Sequence, residues 1–273
     1  MSRPDAATVR ATFGGAHPTR RVFYSNTEEN PFLDPAYIAQ LKADMSPREA
    51  DRYIRGRWVE IRAEFIYYEY DSRAQYRAAL AYQVDAKQMV HLTFDFNIGV
   101  GKPMSCALFQ FDGDAFHIFA EAVIEGARTA DILEDLDARG LLAKELRYEI
   151  NGDAAGKHRD TRSSRSDYDI ILQGLAGRGI KADYNVPLAN PPIRTRHNKV
   201  NAYCKNDNGK RRLFIYKGCK ISDEGMRLTA LKKGAGYIED DSKAFQHVTT
   251  AIGYGILSTL QKHSTKRQGT TQL

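Results

Sequence analysis

One run constrains this chain more than any other. Met89–Phe96 is apolar and β-prone, yet it carries Asp95 near its end and is followed at once by Asn97, Gly99 and Gly101. A carboxylate set into an aromatic strand is costly to bury unless something cationic compensates it. Two later stretches can deliver partners to the same place: Tyr148–Asp153, and a helix carrying His247. The three together predict one metal site built on one α/β sheet.

The surrounding pattern supports such a sheet. Met89–Phe96, Ser105–Phe111 and Ala115–Ala122 are short apolar segments, with Asp112-Gly113 as a hairpin signal between the second and third. A helix follows at Thr129–Arg139, with Ile132, Leu133 and Leu136 on one face, and then a strand at Arg147–Asn151. The expected fold is α/β: a mixed sheet of three antiparallel strands and then parallel strands, flanked by helices. Strand one should lie beside strand four, which makes Asp95 and Asp153 neighbours.

Downstream, helices are expected at Ser166–Arg178, Arg194–Lys205 and Cys219–Lys232, and strands at Lys181–Tyr184 and Arg211–Tyr216. A last helix begins after Ser242, where Phe245, Val248, Ile252 and Ile256 recur at intervals of three and four. Upstream, a helix begins near Ala36, and Ser46-Pro47-Arg48-Glu49 reads as a capping box opening a second. Trp58 reads as a packing anchor and Phe65–Tyr70 as a strand. The expected division is a connector over residues 1–88, a catalytic domain over 89–261 and a disordered polar tail over 262–273.

Asp95 and Asp153 each end a strand beside Gly or Asn, the ordinary place for a turn-forming acid. Two of them on neighbouring strands repel unless they share a proton or a cation, and hard divalent ions prefer such oxygen ligands. On the last helix, His247, Thr250 and Tyr254 share a face. His247 is either a hydrogen-bonded core residue or the third ligand; Glu121, ending the third strand, is a candidate fourth group. Asp240 and Asp241 suit the start of a helix, where the macrodipole favours acids. Lys157, Arg159, Arg162 and Arg165 follow Asp153 closely, as a cluster that would hold phosphates by charge or as a solvated loop.

A net charge of +6 favours an acidic polymer as partner. Three scattered cysteines with no CxxC pair argue against a structural zinc and fit a reducing compartment. Neither a membrane-length apolar run nor a signal-peptide core is present, so a soluble intracellular protein is expected. Gly152–Lys157 is one residue short of a P-loop and places His158 where Ser or Thr would meet magnesium, which excludes ATP binding there.

With these residues in view, the chain from about Asn30 to about Leu257 resembles the nuclease half of tailed-phage terminase large subunits, the DNA-packaging motor proteins. Asn30–Trp58 looks like the linker that follows their ATPase domain, and Thr93-Phe94-Asp95-Phe96-Asn97 like their first acidic strand. Gly152-Asp153-Ala154-Ala155-Gly156, then Arg159-Asp160-Thr161-Arg162-Ser163 and Asp167-Tyr168, is similar to the second acidic motif. His247–Tyr254 resembles the closing helix, commonly His-x-x-Asp-Ala-x-x-Tyr, except that Thr250 stands where that family carries its third Asp.

The resemblance implies a ribonuclease H-like fold. It also implies an endonuclease that cuts double-stranded DNA with little sequence preference, using two Mg²⁺ or Mn²⁺ ions. Asp95, Asp153 and His247 would be the catalytic and metal-holding residues, with Glu121 and Asp241 as further candidate ligands. A His one turn before the missing Asp is used by related resolvases of the same fold, which puts His247 ahead of Asp241. Lys157, Arg159, Arg162, Arg165 and Lys199 would contact DNA. The implied partners are a terminase ATPase domain or small subunit and the portal, in the cytoplasm of an infected bacterium. The rival reading is a catalytically silent DNA-binding or assembly module of the same machinery.

Overall fold

The computed structural model describes residues 26–57, 65–97, 102–159 and 165–270. Its centre is the hairpin anticipated at Asp112-Gly113. Met104–Phe111 (β3) and Phe116–Ile124 (β4) pair antiparallel, and β3 pairs antiparallel with Met89–Asp95 (β2) on its other side. Tyr76–Arg77 (β1), Arg147–Gly152 (β5), Ala182–Tyr184 (β6) and Leu213–Tyr216 (β7) complete a seven-stranded sheet in the order β1-β7-β4-β3-β2-β5-β6. β5 runs parallel to β2, β6 to β5, β7 to β4 and β1 to β7. Three antiparallel strands followed by parallel ones is the expected α/β class, and strand one does lie beside strand four.

Helices cover both faces, because each strand of the centre is apolar on both sides. The helices before the sheet are Pro35–Asp44 (α1), Pro47–Tyr53 (α2) and the single turn Ser72–Gln75 (α3). Thr129–Ala138 (α4) and Asp167–Gly177 (α5) bury Ile132, Leu133, Leu136, Ile171 and Leu175 against Leu92, Phe94 and Leu108. On the opposite face lie Ile193–Cys204 (α6), Lys220–Leu228 (α7) and Ala244–Thr270 (α8). There Val200, Met226, Val248, Ile252 and Ile256 pack on Ala107, Phe109 and Ile118. The stripe on α8 therefore faces the sheet, as its spacing predicts.

Ser46 and Glu49 form the expected capping box of α2. Phe65–Tyr70 is not a strand. Phe65 makes one isolated bridge to Ala230, and the chain turns at once, with the Tyr70 amide donating to the Tyr67 carbonyl. The Asn201 side chain takes the Ile66 carbonyl (2.9 Å) and the Glu69 amide (3.1 Å), backbone groups that a ladder would have used. Ile66 and Tyr67 join the second core, and β1 is an edge of the same sheet. α7 stops four residues before the expected end, where the Thr229 hydroxyl donates to the Gly225 carbonyl (2.7 Å). The tail expected to be disordered instead continues α8 to Thr270, and Lys262 ties its start to the buried Glu149. Trp58 lies outside the described residues.

Gly152 lets β5 end against β2. Its φ is +141°, and a Cβ there would sit 2.4 Å from the Phe94 carbonyl oxygen and 2.7 Å from the Phe94 nitrogen. Backbone cannot yield as a side-chain tip can. Gly152→Ala is expected to cost ~2–4 kcal/mol by urea denaturation, combining conformational strain with the clash. Gly113→Ala, at a φ of +97° in open space, should cost only ~1 kcal/mol.

Candidate metal centre

The parallel register aligns Phe94 with Gly152, so the next residues, Asp95 and Asp153, leave the sheet side by side. The Asp153 amide donates to the Phe94 carbonyl (3.0 Å), carrying the pairing one residue past the strand. Asp153 then caps a short helical turn over Ala154–Lys157, accepting from the Ala155 amide (2.7 Å) through Oδ1. The Asn190 side chain donates to the same oxygen (2.7 Å), and the Tyr168 hydroxyl holds the Asp153 carbonyl (2.8 Å). Gly156 permits this turn, since a Cβ would lie 2.3 Å from the Phe96 ring.

Asp95 is buried, and its Oδ2 accepts from the Asn97 side-chain Nδ2 (2.7 Å) and lies 3.0 Å from His247 Nδ1. Asn97 Nδ2 is also 2.9 Å from that ring nitrogen. A carboxylate can only accept, so the Asp95 contact is a hydrogen bond when Nδ1 carries the proton; Nε2 then holds a lone pair. His247 is 3% exposed, and its Nε2 has no hydrogen-bond partner among the described residues. In the Nδ1-protonated tautomer Nε2 is available to a cation, whereas acceptance of the Asn97 Nδ2–H by Nδ1 puts the proton on Nε2. The donor set of two carboxylates and one imidazole fits a hard or borderline divalent ion. No group of three His, Cys, Asp or Glu among the described residues already stands at ligating geometry.

The other expected site residues are engaged elsewhere. Glu121 shares a face with Asp95 but lies two strands and two residues away, about 12 Å at ordinary sheet spacing. Its carboxylate accepts from the Ile221 amide (2.9 Å), the Ser222 amide (2.7 Å) and the Ser222 hydroxyl (2.6 Å), capping the start of α7. Asp241 pairs with Lys102 (2.5 Å) and Lys232 (2.8 Å), which pull its pKa far below the carboxylate range. Thr250 accepts from Gln246 Nε2 (2.8 Å). Lys157 donates to the Val186 carbonyl (3.0 Å) and lies over the Tyr184 ring; Arg159 and Arg165 are exposed. Lys199 is half-buried on α6, where its charge acts on Glu49 of α2. Arg162 lies outside the described residues.

Tyr254 stands near both acids: burial pushes its hydroxyl pKa up, and the charges of Asp153 and Asp95 add to the rise. Beneath it lies Arg196, 1% exposed, its guanidinium 4.7 Å from the Tyr254 ring centre. Arg196 is paired with Glu239, which also meets His197 Nε2 at 2.8 Å. Burial opposes the Glu239 charge, but the His197 hydrogen bond and the Arg196 charge outweigh it and hold its pKa down to about 2. Burial keeps His197 below its ordinary value, so Arg196 is the cation of this group.

No family model and no curated protein matches this sequence. The structure is similar to the large terminase of a thermophilic bacteriophage, with a TM-score of 0.59 at 15% identity over 86% of this chain and 54% of that one. A complex of that terminase with ADP gives 0.58 at 16% identity, over 85% and 53%. The P22 large terminase nuclease domain gives 0.51 at 13% identity, over 70% of this chain and 90% of that one. The chain thus spans about half the length of the full-length terminase it matches.

Removing the Glu239 charge tests the buried group. Its folded pKa of about 2 lies below the ordinary 4.5, so its stabilisation is complete above pH 4.5 and is lost as pH falls toward 2. Glu239→Gln should cost ~3–5 kcal/mol at neutral pH, because it strands a buried guanidinium, and should flatten the decline in urea midpoint across that acid window. Part of the decline should remain, since Glu149 is also held to about 2, where hydrogen bonds from His91 and Lys262 outweigh burial. At these identities the likeness establishes the fold, and the chain has the ribonuclease H-like fold of the terminase nuclease domains.

Proposed function

We propose that this chain is a divalent-metal-dependent endodeoxyribonuclease that cuts double-stranded DNA with little sequence preference, as the nuclease part of a phage DNA-packaging terminase. The observation that carries the reading is the pairing of Asp95 and Asp153 at adjacent strand ends, with His247 buried against Asp95 through Nδ1 and its Nε2 without a partner among the described residues. Asp95, Asp153 and His247 would hold two Mg²⁺ or Mn²⁺ ions, with Asn97 orienting Asp95 and Asn190 orienting Asp153. Bound there, the ions would polarise the phosphoryl oxygen and supply a nucleophilic water at neutral pH. Arg159 and Arg165, exposed and a few residues after Asp153 in the chain, would meet the DNA backbone, and the net charge of +6 favours that polymer. On this reading the partners are double-stranded DNA, a packaging ATPase or small subunit and the portal, and the place of action is the cytoplasm of the infected cell.

A second reading is favoured by one specific observation. Thr250, bonded to Gln246, stands where the resembled family has an acid, and both Glu121 and Asp241 are committed to other partners. A chain short of a third carboxylate could serve as a catalytically silent DNA-binding or assembly module.

Cleavage of supercoiled plasmid with Mn²⁺, Mg²⁺ or EDTA, alongside thermal unfolding in each condition, separates the two. The nuclease reading expects metal-dependent cutting and a Tm that rises with Mn²⁺, by mass action equivalent to ~2.7 kcal/mol at about a hundredfold excess over Kd. Asp95→Ala and Asp153→Ala should each lower cutting by about a thousandfold or more, ~4 kcal/mol of lost transition-state stabilisation, and abolish the Mn²⁺ shift. DNA binding without cutting, and a Tm indifferent to metal, would establish the silent module instead.

A further inference from the structure

Away from the acid pair, α2, the first turn of α6, Phe65 and the Leu231–Tyr237 segment line a half-open cleft. Its lining includes Tyr53, Phe65 and Tyr237 together with Arg48, Arg52 and Arg194. Each guanidinium lies over a ring: Arg48 over Tyr68 (4.6 Å), Arg52 over Tyr53 (5.4 Å) and Arg194 over Tyr237 (4.4 Å). A guanidinium stacked in this way keeps its in-plane N–H edge for an anion. The carboxylate among the lining residues, Glu49, is turned to the capping box, where its Oε2 accepts from the Ser46 amide and hydroxyl at 3.2 Å. The cleft therefore offers rings and positive charge together.

We propose that this cleft binds one unpaired nucleotide of the DNA strand, its base against the Tyr53, Phe65 and Tyr237 side chains and its phosphate against Arg52 and Arg194. A nucleotide joins a planar ring to an anion in one unit, which matches both halves of the lining. A base inside a duplex is already stacked and paired, so the cleft selects a strand end, an overhang or an extruded base. One short stretch links the cleft to the acid site in sequence: Arg194 follows, through Pro191, Pro192 and Ile193, the Asn190 whose side chain holds Asp153. Tyr237 reaches the same place from the other side, since its hydroxyl is 3.0 Å from His197, which meets Glu239 and through it Arg196 beneath Tyr254. This inference rests on the reading of the protein as a DNA-cutting enzyme and adds where an unpaired part of the substrate lodges.

The test is binding in EDTA, so that no cutting occurs. A blunt duplex is compared with the same duplex bearing a short overhang that carries a fluorescent purine analogue. The full chain should bind the overhang form about tenfold tighter and quench the analogue by stacking. Arg52→Gln combined with Arg194→Gln should erase that margin while leaving blunt-duplex affinity within about twofold, and Arg194→Lys should restore only part of it. Equal affinity for the two duplexes, an unquenched analogue, or a margin that survives the double substitution would overturn the proposal. So would tight binding of an acidic, tyrosine-containing peptide with no overhang preference, which would assign the cleft to a protein partner. Asp95→Ala keeps the two ideas apart: lost cutting with an intact margin leaves the cleft standing, whereas intact cutting without a margin removes the cleft alone.

Discussion

The parallel pairing of β5 with β2 is the constraint on which the rest of the acid site depends. A single register, Phe94 opposite Gly152, decides that Asp95 and Asp153 emerge together. A slip of one residue would send one of them to the other face of the sheet, because side chains alternate along a strand. The absence of a side chain at Gly152 permits the approach, and the Asp153 amide extends the ladder beyond it. The two acids thereby leave neighbouring strands side by side through backbone hydrogen bonds rather than by their own preference.

The face of the sheet covered by α6, α7 and α8 is organised by an unusual tenant, the buried guanidinium of Arg196. Gly253 gives it room on α8, since a Cβ there would lie 2.8 Å from its side chain, and Gly255 lets the same helix settle onto Phe109 and Thr93. Glu239, His197 and Tyr254 supply the charge, the hydrogen bond and the ring that make the burial tolerable. Such a group adds little net stability over an apolar core, but removing one member is costly. Its effect is to fix α6, the segment at Glu239 and α8 relative to one another, directly behind the residues that face the acids.

Much of this was legible in the sequence. The hairpin at Asp112-Gly113, the apolar stripe on α8, the capping box at Ser46 and the adjacency of strands one and four all rest on local periodicity and turn chemistry, and all are present. The misreadings have a common cause in contacts between distant residues. Phe65–Tyr70 has the composition of a strand, but Asn201, more than a hundred residues later, takes its backbone groups. The polar residues after Lys262 carry no helical stripe, yet the buried Glu149 anchors the turn where they begin. Asn97 lay inside the recognised acidic motif, so its place beside Asp95 could have been inferred; Asn190 sits in a Pro-rich loop with no local signal that it reaches Asp153.

His247 rests on a different kind of support from the two acids. Asp95 ends β2 and Asp153 directly follows β5, whereas His247 is the fourth residue of α8, in its first turn. Ahead of that turn, Ser242 bonds Asp240, and Asp241 is pinned by Lys102 and Lys232. Unwinding one helical turn there would withdraw the imidazole and leave the carboxylates, the sheet and both cores intact. If His247 serves the proposed centre, opening of that one turn would disassemble it at a cost below that of global unfolding.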